Sequence, residues 1–74
     1  MDYVTTGTTR MGLRWARCGE YRIVAYVMPG GYSRQRVYSG RQGWRLLLPT
    51  EPMPEDVERA LCAALRIEYQ PKED

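Results

Sequence analysis

The sequence predicts an α+β domain: an antiparallel meander of three or four strands with one C-terminal helix packed on one face. Three observations carry this expectation. Apolar and polar residues alternate with period 2 in four segments between residues 10 and 48, breaks rich in Gly and Pro separate those segments, and one helical apolar stripe follows residue 54. A chain of 74 residues has room for one domain with a single thin core. The expected limits are a flexible N-terminal arm over 1–9, where four Thr and a Gly show no periodicity, a single domain over 10–69, and a polar tail over 70–74.

In residues 10–17, Met11, Leu13 and Trp15 alternate with Arg10, Gly12, Arg14 and Ala16, which reads as a strand with one apolar face. Cys18, Gly19 and Glu20 supply a tight turn. The second strand sets Tyr21, Ile23, Ala25 and Val27 against Arg22, Val24 and Tyr26, and Pro29, Gly30 and Gly31 end it. The third, over 34–39, sets Arg34, Arg36 and Tyr38 against Gln35 and Val37, and residues 40–43 make the next reversal. In the fourth, Trp44, Leu46 and Leu48 oppose Arg45 and Leu47. Pro49, Pro52 and Pro54 stop the sheet, and Pro54 suits the first turn of a helix whose Glu55 and Asp56 complement its dipole. Over 55–66 the apolar residues Val57, Ala60, Leu61, Ala64 and Leu65 recur at helical spacing. Ile67 and Tyr69 flank Glu68 as either a short last strand or a helical end.

Charge is distributed unevenly. Residues 1–50 carry eight Arg against Asp2 and Glu20, a net +6, while 51–74 carry three basic and seven acidic residues, a net −4. Such asymmetry points to nucleic acid or another anionic partner on the basic side, although GC-rich coding bias also yields an Arg-rich, Lys-poor chain. Cys18 and Cys62 lie far apart with no zinc spacing, and no signal peptide precedes them, so reduced thiols and a cytoplasmic protein are expected. The longest apolar runs fall far short of the roughly 20 residues of a membrane span. No metal site and no cofactor motif is expected.

If the helix covers the face bearing Met11, Leu13, Trp15, Tyr21, Ile23, Ala25, Val27, Val37, Trp44, Leu46 and Leu48, the other face shows Arg10, Arg14, Arg22, Val24, Tyr26, Arg34, Arg36, Tyr38, Arg45 and Leu47. Six Arg then converge with two Tyr on a face almost free of carboxylates. Guanidinium groups pair phosphates and read guanine edges, and Tyr rings stack on bases. The expectation is a non-enzymatic nucleic-acid-binding domain, DNA more than RNA, with Arg14, Arg22, Arg34, Arg36 and Arg45 on phosphate or base edges and Tyr26 and Tyr38 beside them. A merely solvated sheet face is the competing explanation.

The segments GEYRIVAYV, SRQRVYSG and GWRLLLP followed by PEDVERALCAAL resemble, in element order, the three-stranded-sheet-plus-helix DNA-binding domains of phage and transposon integrases. The resemblance implies a sheet lying in the major groove, with Arg22, Tyr26, Arg34, Arg36 and Tyr38 facing DNA. Catalysis is disfavoured, because the chain has no His and no nucleophile is spaced with a base. Cys62 reads as a small core residue. The alternative function is a protein-binding or inhibitor module of a phage or mobile element, similar to anti-CRISPRs in size and composition, for which Val24, Leu47, Met28, Tyr32 and Met53 are candidates for an exposed apolar patch. An exposed edge strand also gives a second copy a place to pair, so a homodimer is a further expectation.

Overall fold

A computed structural model describes residues 3–48 and 50–69. The elements are β1 (Val4–Thr8), β2 (Arg14–Cys18), β3 (Tyr21–Met28), β4 (Gly31–Gly40), β5 (Gly43–Leu46) and α1 (Glu55–Leu65). The five strands form one antiparallel meander in sequence order, and α1 packs on one face of it. The α+β class and the single C-terminal helix are as the sequence predicts.

Two-residue turns fix the registers of β2 to β5. Cys18 pairs Tyr21, Met28 pairs Gly31 and Gly40 pairs Gly43. In the middle turn Pro29 precedes Gly30, whose φ of 91° is the left-handed conformation that only glycine adopts without strain. Paired residues share a face, so these turns decide which side chains meet the helix.

That face carries Ala16 and Cys18 of β2 and Tyr21, Ile23 and Ala25 of β3. Leu61, Cys62 and Leu65 of α1 pack on them, and Met53 closes the cluster. Burying a Leu or Ile fully is worth roughly 1.5–3 kcal/mol, so Ile23, Leu61 and Leu65 dominate this small core. Small residues beneath the helix let it sit close to the sheet. The helix backbone packs over β1, β2 and β3 and meets β4 through the Arg34 side chain, and the segment that follows β5 lies against Arg36 and Arg45 on the rest of the face.

Four expectations are corrected. Val4–Thr8 is a paired edge strand rather than part of a flexible arm, because backbone pairing to β2 needs no apolar periodicity. The strand expected over 10–17 starts at Arg14: Thr9 instead closes a loop, accepting from the Gly12 and Leu13 N–H groups through its carbonyl and hydroxyl. Trp15, Val37, Trp44 and Leu46 face away from the helix, and Arg14, Arg34, Arg36, Tyr38 and Arg45 share its side. Met53 is buried rather than exposed. The tail over 70–74 and the side chain of Tyr32 lie outside the described residues.

Ile67 and Tyr69 form no strand. The Arg66 N–H donates to the Ala63 carbonyl and the Ile67 N–H to that of Cys62, the paired bonds of a Schellman stop, while Ile67 and Tyr69 pack on the core. Arg66 holds the left-handed position with φ 59°, a conformation disfavoured by a Cβ. Arg66→Gly is therefore expected to stabilise the fold by about 0.5–1 kcal/mol. Urea denaturation would show this as a raised midpoint, and an unchanged or lower midpoint would contradict it.

Candidate nucleic-acid interface

The face away from the helix is built by the alternate residues of each strand: Thr5 and Gly7 of β1, Trp15 and Arg17 of β2, Arg22, Val24 and Tyr26 of β3, Ser33, Gln35, Val37 and Ser39 of β4, and Trp44 and Leu46 of β5. None of these is a carboxylate. At its centre aromatic rings and guanidinium groups are stacked. The Trp15 ring lies across Gly7, where a Cβ would come within 2.5 Å of it, so glycine is what lets the indole lie flat on the edge strand. The Arg22 guanidinium stands 5.9 Å from the Trp15 ring and 4.3 Å from that of Trp44, and the Arg17 guanidinium 4.9 Å from Trp44.

These contacts span the sheet. Strands β2 and β5 are three spacings apart, about 14 Å on a flat sheet, so Arg17 and Trp44 meet only by leaning together over β3 and β4. Beneath this roof Val37 is 7% exposed on a face that no helix covers. The Arg22 Nε is buried without a hydrogen-bond partner, so the rings rather than polar partners hold that group. Arg17 donates through Nε to the Gly19 carbonyl at 3.1 Å. Arg10 and Arg41 are exposed in the loops that flank the sheet.

Of the residues expected at the interface, Arg22 and Tyr26 lie on this face. Arg14, Arg34, Arg36, Tyr38 and Arg45 lie on the other, most of them engaged in holding the protein together. Arg36 donates to the carbonyls of Glu51 and Leu48, both at 2.9 Å. Arg45 makes a bidentate pair with Glu51 at 2.9 and 2.7 Å. Arg34 donates to the Cys62 thiol at 3.4 Å, and burial pushes that thiol's pKa up despite the nearby cation, so it stays protonated. Tyr38 packs on Tyr21 with ring centroids 5.4 Å apart, and the Glu20 carboxylate raises the pKa of its hydroxyl. Arg14 lines a cleft of about 240 Å³ between β1, β2 and the end of α1. The positions that the integrase resemblance would put on DNA are thus divided between two faces.

The reason is a polar debt on the helix side. The α1 backbone stays over β1 to β3, so Leu47, Leu48 and Glu51 lie against the helix side of β4 and β5, and the carbonyls there need donors. Arg36 and Arg45 supply donors to the Leu48 carbonyl and to Glu51. Trp15, Arg17 and Trp44 belong to this candidate face but are missed by alternation alone, since it ranks Trp as core and sets Arg17 on the side of Trp15.

Glu51 also dates the pair's pH range. The hydrogen bonds from Arg45, then the Leu48 N–H, hold its carboxyl down from 4.5 to about 2. A folded value below the unfolded one means the contribution is complete above about pH 4.5 and is lost as pH falls toward about 2. The stability difference between the native protein and Glu51→Gln should therefore be constant above about pH 5 and shrink toward zero with acid. Denaturant midpoints across that range measure it, and a difference that persists unchanged at the acid end would refute the assignment.

Among the described residues no cluster of His, Cys, Asp and Glu could hold a metal ion, and no helix is long and apolar enough to cross a membrane. No protein family, curated protein or solved structure matches the chain.

Proposed function

We propose that this protein is a cytoplasmic, non-enzymatic nucleic-acid-binding domain that uses the open face of its sheet. The observation that carries the reading is the Trp15–Arg22–Trp44–Arg17 stack on a face without carboxylates. A guanidinium lying on an indole keeps its in-plane N–H edge for phosphate, and an indole offers bases a flat apolar surface. The acidic residues of the described chain lie elsewhere, with Glu55, Asp56 and Glu58 in the first turn of α1, so the cations of the open face have no carboxylate beside them while those of the helix side are offset by acidic residues. Such a field draws a polyanion to one face. That Cys18 and Cys62 are both buried and in no disulfide supports the cytoplasmic part of the reading.

A second reading has its own observation. Leu46 and Met28, 58% and 47% exposed on the same face, would suit a protein partner, as expected of an interaction or inhibitor module. Fluorescence anisotropy with labelled oligonucleotides between about 50 and 200 mM salt separates the two. Saturable binding that weakens steeply with salt supports nucleic acid, whereas absence of binding at the lowest salt would discard that reading in favour of a protein partner.

A further inference from the structure

We propose that the open face takes a single strand rather than a duplex, with a base stacked on Trp44 and phosphates on Arg17 and Arg22. This rests on the nucleic-acid reading above. Its first support is relief. To read a duplex, a protein sends a helix or a ribbon of long outward side chains into a groove about 12 Å wide. Here Ser33, Val37 and Ser39 on β4 and Val24 on β3 are short or apolar, so that Gln35 and Tyr26 are the longer uncharged polar side chains of the two middle strands, and the central cations lie against rings. Such a surface offers few long side chains to the edges of buried base pairs.

The second support is the placement of Trp44. It stands on the edge strand β5, 39% exposed, beside Leu46 at 58%, and both guanidinium groups reach it from β2 and β3 on the sheet-interior side. An indole at a sheet margin, with cations to one side and an apolar ledge to the other, fits the π-face of an unpaired base, which a duplex keeps stacked internally. The third support is charge. Arg17 and Arg22, with Arg10 and Arg41 at the rim, neutralise only a few phosphates, enough for a short strand and sparse for a duplex whose charges lie about 1.7 Å apart along its axis. Stacking and phosphate pairing are common to DNA and RNA, so both strands are expected to bind alike.

The protein carries its own probe, because its only two tryptophans are Trp15 and Trp44, both on this face. Titrating the intact protein with oligodeoxythymidine, oligouridine and a duplex, each about 12 nucleotides or base pairs long, reads binding through tryptophan quenching and, with labelled strands, through anisotropy. Both single strands should quench and saturate, with the duplex at least about tenfold weaker. Trp44→Ala should weaken single-strand binding by about tenfold or more while Trp44→Phe stays within a few fold, which separates loss of stacking from loss of fold. A duplex that binds as tightly as the single strands would overturn this inference and leave the nucleic-acid reading standing. Absence of binding to any of the three would overturn both.

Discussion

Arg36→Ala is expected to lower the free energy of unfolding by about 1.5–3 kcal/mol while leaving the nucleic-acid affinity of the folded protein unchanged. The guanidinium bridges two backbone carbonyls, those of Leu48 and Glu51, each at 2.9 Å, and so ties the coil after β5 down onto the sheet. Bonds from a charged donor are the stronger kind, and removing them leaves two acceptors to find water at a partly covered site. A domain of this size has a total stability of roughly 4–11 kcal/mol, so the effect should be large in a urea melt. Arg36→Lys should recover only part of it, since an ammonium cannot reproduce the planar fork. An unchanged melt together with weakened binding would place Arg36 at the interface instead.

The double variant Arg17→Ala with Arg22→Ala is expected to do the reverse. Affinity for an oligonucleotide should fall about tenfold or more, and the salt slope should shrink by roughly two units, one for each phosphate that is no longer neutralised. Some stability goes with it, about 1–2 kcal/mol, because both groups cover indole surface and Arg22 helps roof Val37. Arg22→Lys separates charge from shape: the salt slope should survive while affinity drops, because an ammonium does not lie flat on a ring. Anisotropy across salt measures both quantities. Unchanged affinity and slope in the double variant would remove these residues from any interface.

How much of the fold is legible in the sequence depends on which signal is followed. The class, the C-terminal helix and the faces of β3 follow directly from alternation, since Tyr21, Ile23 and Ala25 face the helix and Arg22, Val24 and Tyr26 do not. Elsewhere hydrophobicity ranks Trp15, Trp44 and Leu46 as core, whereas the helix needs small residues, Ala16, Cys18 and Ala25, to approach the sheet. Turn length carries the missing information. A two-residue turn puts residues three apart opposite one another, so Cys18 must share the side of Tyr21, and Gly31 that of Met28. Propagated along the alternation, that rule turns Trp15 and Val37 outward and Arg34, Arg36 and Tyr38 inward. Reading Cys18 and Gly31 as turn residues rather than as paired ends of strands hides it.

Two features have no signal in alternation. Val4–Thr8 is held by backbone bonds to β2, and its sequence of Thr and Gly looks like a loop until the Trp15 ring is placed over Gly7. Three of the inward Arg residues answer to acceptors that only the tertiary fold supplies, Arg36 to the Leu48 and Glu51 carbonyls, Arg45 to the Glu51 carboxylate and Arg34 to the Cys62 thiol. The number of Arg on the open face therefore falls short of the expected six, and aromatic stacking replaces it as the basis of the proposed site.

If the Trp-bearing face is the binding surface, ligand must perturb its two indoles. The most direct measurement is a two-dimensional ¹H–¹⁵N NMR titration with a single-stranded oligonucleotide, in which the two indole N–H signals belong to Trp15 and Trp44 alone. Both indole signals and the amides of Arg17, Arg22 and Leu46 should move together and saturate, with those of Leu61, Cys62 and Leu65 in the helix-side core unmoved. Stationary indole signals, with shifts confined to α1 or to Arg34, Arg36 and Arg45, would contradict it.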